Sequence, residues 1–549
     1  MKIKRTVLGP TLVAAVAVLS GGWLLQRGVV QQGEGVGNSR LFDEVVQYIS
    51  TRYVDEHPSA ELYQKAVDGL LRELGDPHTS FLTAEQYRNM RIQMGGDYGG
   101  LGIEIGVRDG WITIISPLPN SPGEAAGLLP GDRIIEVEGE STRGWTSDDA
   151  VKVLRGPRGT PVNIRVARIG VDEPIAFRVV REEIHTTSVL YSYLTDGGVG
   201  VVRLRTFGEN AVEELNQSIE ALRRQGMQRL VLDLRENPGG ILDQGIAISD
   251  MFLKRGDVIA ETRYRDPRQN ERYRASQGER FPDLPAVVLV DEYSASASEI
   301  VAGALQDNDR ALVLGAPSFG KGSVQTLYPL SGGNYLKMTT GRWYTPAGRS
   351  IEKARSRNGD PVALLDEEAT ATPEGMPVPS GEVEEDTVPR QPYRTAGGRT
   401  VYGGGGIVPD LTVRPDTAIT TEQTFFRTVA KGGSKYYDVL ARYAIEYGRQ
   451  NQNLRPDFQV TAAMRDELFR RLQAAELEIE RGDFDAARRL VDQHLVNQIA
   501  VNKFGRDVAA MRQLAADNAL RTAVEMLRSA PDQQALFQMA RTRAQASRS

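Results

Sequence analysis

Three hydroxyls and one amine are the groups best placed by type to attack a carbonyl and to take up a proton. The stretch "VDEYSASASEIVAGALQDNDRALVLGAPSFGKGSVQ" carries Ser294, Ser296 and Ser298, spaced by single alanines, and then Lys321 in a glycine turn. A serine hydroxyl is a weak nucleophile until a base takes its proton. The chain has no cysteine, and its four histidines (His57, His78, His185, His494) are scattered, with no HExxH pattern and none near these motifs. Thiol chemistry and disulfides are therefore excluded, and neither a metal nor a cofactor is expected. Lysine is left as the base. Its amine titrates near pH 10.4 in water, and burial among apolar groups brings such an amine to roughly 7–8. Phe319 and Val324 flank the turn and suit such a pocket. A Ser–Lys dyad is a known variant of the serine-hydrolase arrangement.

Plainer readings compete at each position. Ser296 and Glu299 have S-x-x-E spacing ahead of Ile300, Val301, Ala304 and Leu305, which also reads as a capped helix start. The two roles are compatible, because the free N–H groups at a helix start favour a developing negative charge. "GAPSFGKGS" nearly meets the phosphate-loop pattern through Gly315, Gly320 and Lys321. Gly322 stands where the magnesium-binding hydroxyl belongs, however, and "SVQTLYPL" alternates like a strand where a helix must open. Nucleotide binding is rejected there. Upstream, "DLRENPGG" ends a strand in Gly239 and Gly240, whose open backbone suits an oxyanion hole, each donor being worth about 2.7–4 kcal/mol. At this level any of the three serines is a candidate nucleophile.

The rest of the chain must position these groups. At 549 residues it is too long for one core. A net charge of -6 without a basic block excludes a nucleic-acid groove. "MKIKR" followed by the apolar run Val7–Leu25 reads as a secretory signal or, better, an uncleaved anchor, since Trp23 lies near its outer end and no clean A-x-A site stands before the polar Gln26–Arg27. Residues 39–95 have helical periodicity, with Leu41, Val45, Tyr48 and Ile49 on one face and Leu62, Ala66, Leu70 and Leu74 on another, before "GDPHT" breaks the pattern. Residues 96–184 turn to short alternating strands, and from 185 to 353 strand and helix alternate, with strands buried on both faces. Residues 354–400 are rich in Glu, Pro and Thr and read as a solvated insertion. Core patterning resumes over 401–415, and 416–549 is helical again.

"GGLGI", "AAGLLPGDRIIEVEG" and "LRGPRGTPVNIRV" together resemble a PDZ domain. With "SASASEIVAGALQDNDRALVLG", "SFGKGSVQ" and "DLRENPGG", the chain from about Leu41 to Val413 resembles the C-terminal processing proteases, tail-specific serine peptidases of bacterial envelopes and chloroplasts. The resemblance implies a multidomain α+β protein, with a PDZ-like β-rich domain and an α/β core of ClpP/crotonase type between helical ends. It selects Ser296 as nucleophile, Lys321 as base and Gln325 as the group orienting that base. It puts oxyanion donors at Gly240 and Ala297, and matches Asp307 to a position important in relatives, where plain helix-end structure is the simpler role. Leu101, Gly102 and Ile103 offer backbone N–H groups to a peptide carboxylate while the peptide adds as a strand, and Arg155 is a candidate for passing that signal on.

The partners it implies are protein substrates with accessible C-terminal tails, further copies of the chain joined through the N-terminal helices, and an adaptor or activator protein. The expected location is the periplasm or cell envelope, at the inner membrane if the N-terminal segment stays. The helical end has no counterpart among these motifs and is open to oligomerisation, adaptor binding, covering the active site or simple packing. The competing class is a catalytically silent PDZ-bearing envelope scaffold, against which the retained Ser296, Lys321, Gln325 and NPGG turn argue. An amidase using the same dyad would have little use for a tail reader.

Overall fold

The computed structural model describes residues 39–353 and 391–546, apart from 96, 119, 169–170, 414–419, 432–434 and 515. The N-terminal apolar run and most of the acidic insertion fall outside these. Two compact units divide the chain: Met1–Ala84 with Gln325–Thr339, and Glu85–Val324 with Thr340–Ser549.

In the first unit, the apolar periodicity yields helices over 39–52 and Ser59–Glu73. They meet through a Phe42–Tyr63 ring contact at 5.9 Å and a 2.9 Å hydrogen bond from Tyr63 Oη to Asp43 Oδ1. Much of their apolar stripe (Leu41, Val45, Tyr48, Leu70, Leu74) remains exposed. The "GDPHT" break is an Asp76-centred turn, whose carboxylate accepts from the His78 N–H and the Thr79 hydroxyl. The strand Ser80–Leu82 then pairs antiparallel with the start of Tyr335–Tyr344, Ser80 opposite Lys337.

The second unit contains three cores. The PDZ-like module is an antiparallel sheet in the order Ile103–Arg108, Trp111–Pro117, Arg133–Val137, Pro161–Ala167, Ile175–Val180. Inward residues such as Ile112, Ile114, Ile134, Val162 and Ile164 close on the helix Ser147–Leu154. That helix starts in a reciprocal cap, Asp149 N–H to Thr146 Oγ1 and Thr146 N–H to Asp149 Oδ2. The module is tied off by a two-stranded ribbon, Asp97–Gly100 against Glu182–His185.

The second core is a six-stranded sheet ordered Val189–Thr195, Val199–Leu204, Arg229–Asp233, Ala286–Val290, Leu312–Gly315, Leu411–Thr412. Its first pair is antiparallel and the rest are parallel. Every residue of Ala286–Val290 is buried, because side chains alternate between two covered faces. Ala286, Val288 and Val290 join the helices Ala211–Arg224, Leu242–Asp250 and Ala297–Asp307. Val287 and Leu289 face the opposite way, onto Leu520, Val524, Leu527 and Leu536 of the helices Asn518–Ser529 and Gln533–Ala546. The end of the chain is thus the second layer of this sheet, although sequence patterning assigned it to a separate helical region. Residues 391–400, read as part of the insertion, form the strand Gln391–Arg394 and its turn to Thr400–Gly403. The third core is a helical subdomain between Thr420 and Phe504, packed around Phe425, Tyr436, Leu468, Phe484 and Leu495.

Candidate active site

Two strand-to-helix turns of the parallel sheet meet at the serines. Arg229–Asp233 runs into the NPGG turn, and Ala286–Val290 runs into Ser294–Ser298. Asn237 joins them. Its Nδ2 donates to the Leu204 carbonyl at 2.7 Å and its Oδ1 accepts the Gly239 N–H at 2.9 Å. Its carbonyl accepts from the Ala295 N–H at 3.0 Å and the Ser298 hydroxyl at 2.9 Å.

The three serines now separate. Ser294 and Ser298 are fully buried, and their hydroxyls donate to the carbonyls of Leu234 and Asn237 at 2.8 and 2.9 Å. Ser296 is only partly buried and has φ 55°, ψ -113°, a backbone region costly for any residue with a Cβ. Glu299 and Ile300 direct their N–H groups at the Ser296 carbonyl, at 2.9 and 3.0 Å. Such a strained turn at a helix start is how a nucleophile is raised above a sheet.

Facing it, Gly239 and Gly240 have φ 98° and 145°. A Cβ on Gly239 would lie 2.7–2.9 Å from Ala295 O, Ser296 Cβ and Ala297 N, so only glycine allows this approach. Among the described residues no acceptor takes the N–H of Gly240 or of Ala297. Two such donors beside a serine suit a developing oxyanion.

The Glu299 carboxylate links the serine turn to the lysine loop. It is wholly buried and accepts four hydrogen bonds. Oε1 takes the Ser318 hydroxyl at 2.6 Å and the Gly320 N–H at 2.7 Å, while Oε2 takes the Ser296 N–H at 2.8 Å and the Lys321 N–H at 3.0 Å. Burial pushes its pKa up to about 7 against those donors. From the other side, Trp343 Nε1 donates to the Lys321 carbonyl at 3.0 Å.

In the PDZ-like module Gly102 has φ 64°, and its carbonyl accepts from Leu118 N–H and Ser121 Oγ at 2.8 and 2.9 Å. Ile103 lies opposite Pro117, and the Leu118 N–H to Gly102 carbonyl bond flanking that pair makes it a non-hydrogen-bonded one, so the Ile103 N–H points away from that neighbour. Among the described residues no acceptor takes the N–H of Leu101 or Gly102. Ile103–Arg108 is an end strand of its sheet, so its outer side can accept a further strand.

A model of peptidase family S41 matches residues 198–357, and a PDZ-domain model matches 113–168. The carboxy-terminal-processing protease of Bartonella bacilliformis is 40% identical over 315 residues, which is 57% of this chain and 72% of that one. This chain belongs to the carboxy-terminal processing proteases. The carboxy-terminal processing protease CtpA of Bacillus subtilis is 32% identical over 325 residues, 59% of this chain and 69% of its own. The solved photosystem II D1 C-terminal processing protease is 29% identical, covering 57% of this chain and 89% of that one, with a TM-score of 0.33.

As a member of family S41 the chain is a serine-type peptidase with a PDZ domain. The remaining residues singled out for this family stand apart from the serine turn. Asp307 ends the helix that Ala297 begins and holds the fully buried Arg349, with Nη2 2.6 Å from Oδ1. Arg349 also reaches Gln306 Oε1 and the Tyr402 carbonyl, so Asp307 anchors the chain around Thr345–Arg349. Arg155 stacks over the Tyr98 ring at 4.4 Å, placing it against the ribbon that leads into the protease. Gln325 lies on the strand Ser323–Pro329 beyond the lysine loop, and its Nε2 is 3.4 Å from Thr339 Oγ1.

Sequence reasoning took Glu299 only as a cap, and passed over Asn237 as a hydrogen-bonding centre and over Trp343. Asn237 lies inside the NPGG motif, where a turn asparagine is a usable signal for a side chain bonding its own backbone. Trp343 is 22 residues from Lys321 and has no local signal.

Proposed function

We propose that this chain is an exported endopeptidase that reads the free C-termini of unfolded or tail-marked envelope proteins and cleaves them with Ser296 and Lys321. In this reading Ser296 Oγ attacks the scissile carbonyl as the Lys321 amine takes its proton. The Gly240 and Ala297 N–H groups hold the oxyanion, the amine returns the proton to the leaving nitrogen, and water then hydrolyses the acyl-enzyme. Gln325 orients the lysine. No metal or nucleotide takes part.

The observation that carries the reading is the sorting of the serines. Ser294 and Ser298 have their hydroxyls bonded to buried carbonyls, and Ser296 alone stands partly exposed on a strained turn facing two open N–H groups. The Leu101–Ile103 loop and the open side of Ile103–Arg108 support tail reading, with the carboxylate on the loop and the peptide added as a strand. The exposed stripe on the two N-terminal helices supports self-association, and the basic head and apolar run from Val7 support export.

The test is degradation of an unstructured protein by wild type beside Ser296→Ala, Lys321→Ala and Ser298→Ala. Loss of cleavage in the first two with retention in the third sustains the assignment. A dead Ser298→Ala beside an active Ser296→Ala overturns it.

A further inference from the structure

The helix Lys435–Gln450 of the helical subdomain packs against the PDZ domain near the end of the strand Ile103–Arg108. Three ion pairs cross this junction. Arg108 Nε lies 3.4 Å from Asp438 Oδ1, Arg442 Nη2 lies 3.2 Å from Asp109 Oδ2, and Arg506 Nη2 lies 2.6 Å from Glu104 Oε2. Between the two bodies is a cavity of about 320 Å³, lined by Arg108, Arg133 and Arg168 from the PDZ side and by Asp438, Arg442 and Ile445 from the helix. That volume is about ten times a water molecule's share of the liquid, so a small ion fits with some of its hydration.

The charges around it do not balance. Arg168 is held by Asp132 through Nε and Nη2 at 2.8 and 2.6 Å, and Arg133 and Arg442 share the single carboxylate of Asp109. Four guanidinium groups thus meet three carboxylates. Arg108 is the least served. Its one ion pair is through Nε, and among the described residues no acceptor takes the protons of its Nη1 and Nη2. Burial disfavours its charge, and although Asp438 and Asp109 offset this, Arg133 and Arg442 press the same way as burial. An unused guanidinium fork inside a recessed, net-positive cavity matches a doubly charged oxyanion in both shape and sign.

We propose that this cavity binds a phosphate-class dianion, seated on the fork of Arg108 and flanked by Arg133 and Arg442. The bound anion cements the PDZ domain to the helical subdomain. It does so at the far end of the strand that begins at the carboxylate loop, so it fixes the orientation in which that strand is offered to a peptide. The dianion is either free phosphate or the phosphate headgroup of a lipid.

The experiment uses the full chain carrying Ser296→Ala, to prevent self-digestion. Inorganic phosphate is titrated calorimetrically at pH 8 against sodium chloride of matched ionic strength. In parallel, the protein is sedimented with phosphatidate vesicles and with phosphatidylcholine vesicles. One saturable phosphate site per chain is expected, lost in Arg108→Gln and weakened about tenfold or more in Arg442→Gln. Arg442 lies on a helix surface with its side chain 45% exposed, so that variant keeps its fold even if Arg108→Gln does not. Binding to phosphatidate vesicles alone, lost in the same variants, identifies the headgroup as the source. No binding in either arm overturns the proposal, as does binding that survives both substitutions.

Discussion

Ser296 and Lys321 place their backbone N–H groups on one and the same carboxylate oxygen, Glu299 Oε2, at 2.8 and 3.0 Å. The other oxygen holds Ser318 and Gly320, so the whole lysine loop is referenced to the first turn of the serine helix. A capping glutamate need only satisfy its own helix, whereas this one fixes the separation of two chain segments. Glu299→Gln keeps the shape but turns two N–H donors towards two others. Cleavage is expected to fall at least about 100-fold, the scale of losing one well-placed polar contact in a reacting site, while circular dichroism stays native. Undiminished cleavage would reduce Glu299 to a cap.

The same carboxylate gives a pH signature. Its pKa is raised to about 7 from 4.5, chiefly by burial. The folded state therefore keeps this proton where the unfolded chain has lost it. The stabilising effect of that proton is complete below pH 4.5 and disappears as pH rises through 7, with a slope of at most about 1.4 kcal/mol per pH unit in between. Thermal melts of Ser296→Ala at pH 5 and pH 8 should differ more than those of Ser296→Ala/Glu299→Gln. Equal differences would show that Glu299 keeps one charge state throughout.

Gly239 tests the apposition of the two turns. Alanine there must accommodate a Cβ within 2.9 Å of three atoms of the serine turn at φ 98°. Because Asn237 holds the turn from both sides, the displaced group is the Gly240–Ala297 donor pair. An activity loss of about 100-fold or more with little change in melting temperature is expected. Ser298→Ala should do the reverse. It removes one buried hydrogen bond, worth about 1 kcal/mol, while the Asn237 carbonyl keeps the Ala295 N–H, so cleavage survives.

Which of these relationships the sequence disclosed follows from how local they are. The alternation of strand with helix over 185–353 marked the core strands as buried on both faces, and contiguous motifs marked the NPGG turn and the serine helix. Periodicity reports that a helix has an apolar face but not what that face meets. Residues 416–549 were read only as helical, and Leu520, Val524 and Leu527 meet Val231, Val287 and Leu289 from more than two hundred residues away. Trp343 on Lys321 and Arg349 on Asp307 are likewise single long-range contacts without a repeating pattern.

His185 makes the ribbon between PDZ domain and protease pH-sensitive. Its Nδ1 is 2.7 Å from Asp97 on the paired strand and its Nε2 is 2.9 Å from Glu214 on the helix Ala211–Arg224. The hydrogen bond to Asp97 first, then Glu214, raises its pKa above the ordinary 6.5, against partial burial. A raised histidine stabilises the folded ribbon fully below the unfolded value and loses that contribution as pH rises through the folded one. Amide exchange of Asp97–Gly100, corrected for its intrinsic pH dependence, should be faster at pH 8 than at pH 6. In His185→Gln the two should coincide; a persisting difference would assign the effect to another group.

The end of the chain offers the last test. If the helices Asn518–Ser529 and Gln533–Ala546 were an appendage, a chain stopping at Gly505 would keep a folded protease. They instead cover Val199, Val201, Val231, Val287, Leu289, Leu312 and Leu314, all buried. Polar ties reinforce the cover: Arg235 pairs with Asp517 at 2.7 Å, and the Ala286 N–H donates to Gln533 Oε1 at 2.8 Å. Truncation would expose one whole face of a parallel sheet, an architecture found almost only with both faces covered. It would also leave Arg235 short of a partner beside the NPGG turn. The truncated chain should aggregate or unfold, while a chain lacking only residues 361–385, read from composition as a solvated insertion, should stay soluble and cleave, since shortening such a segment changes closure cost little. A soluble, active truncation at 505 would mean that the sheet is complete without its second layer.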